Sequence, residues 1–94
     1  MNLKDLHTDK EVSAKPISQQ LKSNAIAIQI SENGTLKEHI TKDPAVLFCV
    51  LGRVEYEDEK GVKIELVPGD FHQIQPMIKH WVKALEQSQL LLLK

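Results

Sequence analysis

Several features that mark specialised classes of protein are absent from this sequence. Its single cysteine, Cys49, excludes a disulfide bond within the chain and is typical of proteins in a reducing compartment. No apolar run approaches the roughly 18 residues of a transmembrane helix, and the first residues contain no apolar segment typical of a secretory signal. These absences predict a cytoplasmic protein with no membrane partner.

An excess of charge of one sign is also missing. The 94 residues include 12 basic and 13 acidic side chains, which are interspersed along the chain and give a net charge of −1. Because no basic stripe is available to follow a phosphate backbone, we do not expect a nucleic-acid partner. A chain of this length forms one domain and buries only about two-thirds of its unfolded surface, so association with a second copy is a common source of added stability.

Alternation of apolar and polar residues dominates the chain from Asn24 onward, with the period of two that is typical of β-strands. Turn residues separate about eight such segments, a spacing that favours an all-β sandwich or barrel over an α/β protein. Residues 1–22 are polar and mixed in pattern. We therefore predict a β-barrel domain over residues 23–94 and an N-terminal arm over residues 1–22 that packs on it, with a solvated His7.

One hairpin can be predicted to the level of its register. The segment Asp58-Glu59-Lys60-Gly61 fits a three-residue loop built on a type I turn, with Gly61 in the left-handed region. The flanking strands then set apolar side chains opposite each other on one face, with one attractive and one repulsive charged pair on the other. The four predicted pairs are Tyr56 with Ile64, Val54 with Leu66, Glu57 with Lys63, and Glu55 with Glu65.

Two short motifs lie in the two halves of the chain. The first is Gly34-Thr35-Leu36-Lys37-Glu38-His39-Ile40-Thr41, closed by Gly52, and the second is Pro68-Gly69-Asp70 followed by Pro76-Met77-Ile78-Lys79-His80. In this order and spacing they resemble the two halves of the signature of small single-domain cupins, and the resemblance covers the chain from about Ile26 to Leu93. It implies an all-β, RmlC-like jelly-roll barrel, but no particular function, because cupins include enzymes, sugar-binding proteins and sensory domains.

The resemblance also implies where a site would lie. In cupins with a full metal site, the first motif supplies two histidines and a glutamate, and the second supplies one more histidine. Here only His39 and His80 match, since Thr41 stands at the second histidine position and Ala45 at the glutamate position. The predicted ligand pocket is formed by His39, Thr41, Cys49 and His80, with His39 and His80 holding a divalent metal (Zn²⁺, Ni²⁺, Fe²⁺ or Mn²⁺) weakly, or no metal.

Three functions are compatible with these residues. The first is a non-catalytic module that binds a small molecule in the barrel. The second is a metal-dependent enzyme, such as a dioxygenase or an isomerase, in which Cys49 or His72 supplies an unusual third ligand. The third is an interaction protein that uses the barrel as a scaffold.

Each candidate residue also has a purely structural interpretation. His39 and His80 can be interior polar residues that bond to each other or to water, Cys49 a small buried hydrophobe, and His72 a residue of the sheet surface or pocket edge. No Asp, Glu or Tyr is expected to point inward beside the histidines, which disfavours acid–base catalysis and leaves the catalytic residues unknown.

Assembly can be predicted from Trp81. It follows His80 in the chain and points away from it, so its indole is expected outside the barrel, under the arm or in a subunit interface. An apolar outer face needs cover, and small cupins commonly pair, as the resemblance implies. We predict a homodimer.

Overall fold

The barrel is built entirely of strands. The computed structural model describes Asn2, Asp5, His7, residues 10–16 and residues 24–94, and within these ranges it contains no α-helix, and so no helix that could cross a membrane. The all-β prediction is confirmed. The strands are β1 Val12–Pro16, β2 Ala25–Ile30, β3 Thr35–His39, β4 Ala45–Leu51, β5 Val54–Asp58, β6 Lys63–Leu66, β7 Phe71–Ile74, β8 His80–Ala84 and β9 Ser88–Leu93.

The strands form two antiparallel sheets that face each other. One sheet has five strands in the order β1-β2-β9-β4-β7, and the other has four in the order β3-β8-β5-β6. Side chains of alternate residues point between the sheets, as the period of two requires. They form one buried cluster, which consists of Ile28, Ile30, Ala45, Leu47, Cys49, Val54, Tyr56, Leu66, Ile74, Val82, Ala84, Leu90 and Leu92.

The predicted hairpin register is confirmed between β5 and β6, in all four pairs. Gly61 has a φ of 89°, in the left-handed region that its place in the loop requires. The repulsion between Glu55 and Glu65 is relieved from both sides. The Lys63 ammonium lies 3.7 Å from Glu55, and the Arg53 guanidinium lies 3.8 Å from Glu65.

Strand β1 was not among the strands expected from the sequence. It lies within the predicted arm, residues 1–22, and pairs with β2 from Val12 opposite Ile30 to Pro16 opposite Ile26. The border placed after residue 22 falls in residues 17–23, which lie outside the described residues. His7, expected to be solvated, is half-buried, and its Nδ1 lies 2.9 Å from the Ser13 hydroxyl. Burial lowers the pKa of His7, and the charge of Lys15 lowers it further.

Both sequence motifs meet at one end of the barrel, here called the mouth. His39 ends β3 and lies opposite His80, the first residue of β8. His80 in turn lies opposite Asp58, the last residue of β5. In the other sheet, Ile74 at the end of β7 lies opposite Ala45 at the start of β4. The fold therefore collects residues that are far apart in sequence around a single opening.

Candidate functional site

The two histidines of the motifs are in contact. Their ring centroids lie 4.1 Å apart, with planes inclined by 62°. His80 is almost fully buried, at 1% exposure, whereas His39 is half-buried. The register of β3 against β8 shifts between Leu36 and His39, and this irregularity brings His39 directly opposite His80. The structure thus brings together the two residues that were predicted to hold a metal.

Each ring is oriented by the backbone carbonyl two residues before it. Nδ1 of His39 donates a hydrogen bond to the carbonyl of Lys37 at 2.8 Å, and Nδ1 of His80 donates one to the carbonyl of Ile78 at 3.0 Å. A carbonyl oxygen only accepts, so the hydrogen of each neutral ring sits on Nδ1. The lone pair is then left on Nε2, where it can accept a hydrogen bond or bind a metal ion.

The environment of His80 favours its neutral form. Burial lowers the pKa of His80 below its ordinary value, and the nearby His39 and His72 lower it further, while the Ile78 carbonyl and Asp58 act in the opposite direction. The net direction is downward because the imidazolium would lose its hydration in the barrel. At neutral pH the ring is therefore an acceptor at Nε2.

Two more rings continue the contact across the barrel. The Tyr56 ring stacks on the His80 ring, with the two centroids 5.8 Å apart. The Tyr56 ring also contacts the His72 ring, with centroids 4.4 Å apart. His72 faces inward because its partner across β4 and β7 is the buried Leu47. We call His39, His80, Tyr56 and His72 the ring row.

The expectation that no Tyr or acid points inward beside the histidines is wrong. Tyr56 is 1% exposed and Asp58 is 9% exposed, and Asp58 lies opposite His80 in the sheet. The signal was available in the sequence, because the hairpin register sets Tyr56 on the apolar face. Asp58 is two residues further along the same strand and so shares that face.

Tyr56 and Asp58 stabilise the hairpin through hydrogen bonds. The Tyr56 hydroxyl donates to Oδ2 of Asp58 at 3.2 Å, and Oδ1 accepts from the backbone N–H groups of Lys60 and Val62 at 2.9 and 3.2 Å. Burial raises the pKa of Tyr56 to about 12, with a further contribution from the charge of Asp58. The phenol therefore stays protonated, and the carboxylate is occupied by closing the turn.

A cavity of about 170 Å³ opens at the mouth, and His72, at one end of the ring row, lines it. Its size compares with the roughly 150 Å³ cavity that holds one benzene molecule in an engineered protein. A separate, more open groove of about 440 Å³ reaches the other end of the row at His39, between β1 and β3. The mouth cavity is lined by Tyr56, Asp58, Lys60, Val62, His72, Gln73, Gln75 and Ile78.

The remaining predicted pocket residues have other surroundings. Thr41 is buried beyond the end of β3, and its hydroxyl has no hydrogen-bond partner among the described residues. Cys49 lies four residues beyond Ala45 along β4, about 13 Å from the mouth at the rise of a strand. Its sulfur lies 3.8 and 3.7 Å from the carbonyl oxygens of Leu51 and Gly52. Burial raises the pKa of the Cys49 thiol to about 11, so the thiol stays protonated at neutral pH.

These residues do not fit a tightly held resident metal. In residues 10–16 and 24–94 and the three isolated described residues, no group of three His, Cys, Asp or Glu side chains is placed to hold a metal ion. Catalytic zinc sites normally use about three protein ligands. Ala45 offers no donor atom, and Asp58 already accepts three hydrogen bonds. The pair His39 and His80 supplies two imidazoles and no more.

Comparison with known proteins gives the fold. No family model matches the sequence, and no curated protein matches it. A cupin superfamily protein of Desulfitobacterium hafniense superposes with a TM-score of 0.82 and 14% identity, over 94% of this chain and 80% of that one. This chain has the cupin fold.

Other solved cupin structures agree. A protein of Shewanella frigidimarina that contains a cupin-2 domain matches with a TM-score of 0.80 and 16% identity, over 100% of this chain and 92% of that chain. A variant of oxalate decarboxylase from Bacillus subtilis matches with a TM-score of 0.81 and 16% identity, over 99% of this chain but only 28% of that chain. At these identities the likeness establishes the cupin fold and leaves the function to be argued from the site.

Proposed function

We propose that this protein is a non-catalytic cupin module that binds a small molecule at the ring row, with at most a weak divalent-metal site at His39 and His80. The observation that supports it is the ring row itself. Two imidazoles with Nδ1 fixed on backbone carbonyls stand at one end, and no third metal ligand joins them among the described residues. The cytoplasmic location remains a prediction from the single cysteine.

The mouth cavity limits the class of ligand. Its volume of about 170 Å³ admits a molecule close to benzene in size. The rings of Tyr56 and His72 provide flat surfaces for stacking, and Gln75 provides an amide group that both donates and accepts. Lys60 also lines the cavity and is the one lysine or arginine among the described residues that do so. This chemistry suits a small planar molecule with a polar or anionic edge.

The enzyme alternative requires a third metal ligand, and neither candidate is well placed for that role. The Cys49 thiol is held protonated and lies far along β4 from the mouth. His72 makes its ring contact with Tyr56, at 4.4 Å, and belongs to no group of three possible metal ligands among the described residues. The scaffold alternative is distinguished by experiment, because a pure scaffold would bind neither metal nor small molecule at the ring row.

Calorimetric titration of untagged protein with Zn²⁺, Ni²⁺, Mn²⁺ and, without oxygen, Fe²⁺ tests the metal half of the proposal. We expect wild-type affinity no better than micromolar, because two imidazoles fill only half of a four-ligand shell. His39→Ala and His80→Ala should each abolish binding, and His72→Ala, the matched control, should retain it. Tight stoichiometric binding in wild type would favour the enzyme, and equal binding in all variants would place the metal elsewhere.

Small planar probes test the ligand half. Benzoate, nicotinate and imidazole are titrated into isotope-labelled protein, and amide shifts are followed by NMR. We expect shifts at residues around the mouth cavity, weakened by His72→Ala and preserved in His39→Ala, the reverse of the metal result. Shifts confined to other surfaces, or none with any probe, would reject a ligand pocket at the mouth.

A further inference from the structure

Met77 lies at the mouth in a backbone conformation that its side chain disfavours. Its φ is 64°, in the left-handed region, which glycine and asparagine enter readily and most other residues rarely do. It belongs to the turn Gln75-Pro76-Met77-Ile78 between β7 and β8, which has proline at its second position and a positive φ at its third, as in a type II turn. Glycine or asparagine is the usual third residue of such a turn. Methionine therefore lowers stability at this position.

The turn before β3 shows the expected choice of residue. Asn33, in that turn, has a φ of 65° and is the other non-glycine residue with a positive φ in the described part of the chain. The side chains of Asn33 and Met77 are both exposed, so packing in the core dictates neither of them. The two positions share a backbone conformation and an exposed surface, yet only the one at the mouth holds an apolar residue.

A neighbouring loop holds the turn of Met77 in place. The Met77 N–H donates to the carbonyl of Thr41 at 2.8 Å, which ties the turn to the loop between β3 and β4. Thr41 is 6% exposed, so this bond is anchored in buried structure. Strained backbone persists only where its surroundings determine it, and such positions are concentrated at binding sites.

The same turn forms part of the edge of the mouth cavity. Its first and last residues, Gln75 and Ile78, both line that cavity. Met77 lies between them and is 63% exposed, the highest value among the large apolar side chains that the structure describes. Ile40, next to Thr41, is 46% exposed. An apolar side chain at the edge of a cavity becomes buried when it covers a bound molecule, and that burial favours binding.

We propose that the Met77 side chain folds over a planar molecule bound in the mouth cavity and selects ligands that carry an apolar edge opposite their polar one. This inference rests on the proposed ligand-binding function. Methionine suits the role because its unbranched chain adapts to the shape of a ligand and its polarisable sulfur makes favourable contacts with aromatic rings. Glycine or asparagine would fit the backbone of the turn but would offer no apolar surface to the ligand.

Thermal unfolding of exchanged residues tests the strain. Met77→Asn should raise the midpoint by roughly 2–6 °C, and Asn33→Met should lower it by a similar amount, because the left-handed region disfavours methionine at both positions. Met77→Leu keeps an apolar side chain at the same φ and should unfold close to wild type. A midpoint that is unchanged or lowered in Met77→Asn would overturn the proposal, because methionine would then carry no cost at this turn.

Titration with benzoate and with 4-methylbenzoate, followed by amide shifts in NMR spectra, tests the contact. Met77→Asn should weaken binding of 4-methylbenzoate about tenfold, since apolar area that wild type buries would stay in water, and should weaken benzoate less. Met77→Leu should retain most of the affinity, and Asn33→Met, the matched control away from the mouth, should bind like wild type.

The outcomes separate this inference from the function on which it rests. Equal affinity of wild type and Met77→Asn for both probes would overturn the role of Met77 and leave the proposed function standing. Shifts with neither probe around the mouth cavity of wild type would overturn both.

The methionine methyl group gives a second readout. The sequence has two methionines, Met1 and Met77, so protein labelled at the methionine methyl gives two signals, which Met77→Leu assigns. An aromatic ring shifts the resonance of a methyl group that lies on its face, so 4-methylbenzoate should move the Met77 signal upfield. A Met77 signal that stays in place while amides around the cavity shift would overturn the proposal.

Discussion

The two sheets of the barrel divide polar and apolar chemistry between them. The four-stranded sheet points Tyr56, Asp58, His39 and His80 inward and an array of charged residues outward. The five-stranded sheet is mainly aliphatic inside, with His72 as its contribution to the ring row, and carries apolar side chains such as Phe48, Phe71 and Leu93 outside. The outward residues of the four-stranded sheet are Thr35, Glu55, Glu57, Lys63, Glu65, Trp81 and Lys83.

This division separates the candidate binding site from the apolar outer surface of the five-stranded sheet. Three of the four members of the ring row come from the four-stranded sheet, whose charged exterior keeps that surface in water. Its ion pairs are exposed, such as Arg53 with Glu86 at 3.4 Å and Lys63 with Glu57 at 3.9 Å, so they contribute little stability. Substitutions inside the four-stranded sheet should therefore affect ligand binding more than substitutions on the outer surface of the five-stranded sheet.

Among substitutions, the largest loss in free energy of unfolding is expected where the chain crosses from one sheet to the other. Gly52, between β4 and β5, has a φ of 89°, and a Cβ there would run into the backbone of Gln87 and Ser88. Gly52→Ala should lower the free energy of unfolding by about 3 kcal/mol or more, as backbone strain adds to the clash. Gly61 has the same φ but open space around it, so Gly61→Ala should cost only about 1–2 kcal/mol.

Urea unfolding of the two glycine variants checks this prediction. Similar losses in both would show that φ strain alone matters at Gly52. In that event the crossing between the sheets would be less tightly packed than the structure indicates.

A smaller effect is expected inside the four-stranded sheet. Tyr56→Phe removes the hydroxyl that donates to Asp58 at 3.2 Å and leaves a buried carboxylate with one partner fewer. The free energy of unfolding should fall by about 1–2 kcal/mol, typical of a hydrogen bond to a charged group. Leu47→Met, on the inner face of the other sheet, conserves volume and should cost less than about 1.5 kcal/mol. Thermal unfolding of both variants would measure the difference, and a neutral Tyr56→Phe would mean that water replaces the hydroxyl.

The next effect concerns pH. The pKa of His80 is lower in the folded protein than in the unfolded chain, where it is about 6.5. As pH falls below 6.5, the unfolded chain takes up the proton first, so the free energy of unfolding decreases until pH reaches the folded pKa. His7 acts in the same direction. We expect the free energy of unfolding to decrease from pH 7.5 to pH 5 in wild type. His80→Gln should flatten this dependence, and an unchanged slope would assign it to His7 or to the carboxylates.

The smallest effect is expected on the charged outer surface. Glu65→Lys removes the like-charge pair with Glu55 and breaks the contact with Arg53. These opposing changes at exposed positions should leave the free energy of unfolding within about 0.5 kcal/mol of wild type. Urea unfolding at low and high salt would measure it, and a loss above 1 kcal/mol would show that the ion pairs matter more than their exposure indicates.

Local patterns determine which parts of this fold were predictable. The register of β5 and β6 was predictable because a short loop connects them and cross-strand pairs identify the alignment. Strand β1 was not predicted because its segment, Val12–Pro16, has only one strongly apolar position. It lies at the edge of the sheet and pairs only with β2. Edge strands need less apolar character than central ones.

The site was only partly predictable for a related reason. His39 and His80 were identified from the motifs, but the inward direction of His72 depends on how β7 aligns with β4, which no local pattern determines. Asp58 is both the last residue of β5 and the first residue of the turn. The sequence pattern assigned it to the turn only, so its position opposite His80 was not predicted. Cys49 does point into the barrel, as alternation along β4 predicts. Alternation gives the direction of a side chain but not its distance from the mouth.

The hydrogen bonds from the two histidines to the carbonyls two residues earlier have a consequence for recognition. Each imidazole is held by the backbone just before it in the chain, so its orientation is set before any ligand arrives. A flexible side chain gives up about 0.5–1.5 kcal/mol of rotational freedom when a ligand immobilises it, whereas a fixed ring has already lost that freedom on folding. Binding at His39 and His80 should therefore carry only a small entropy loss from the protein.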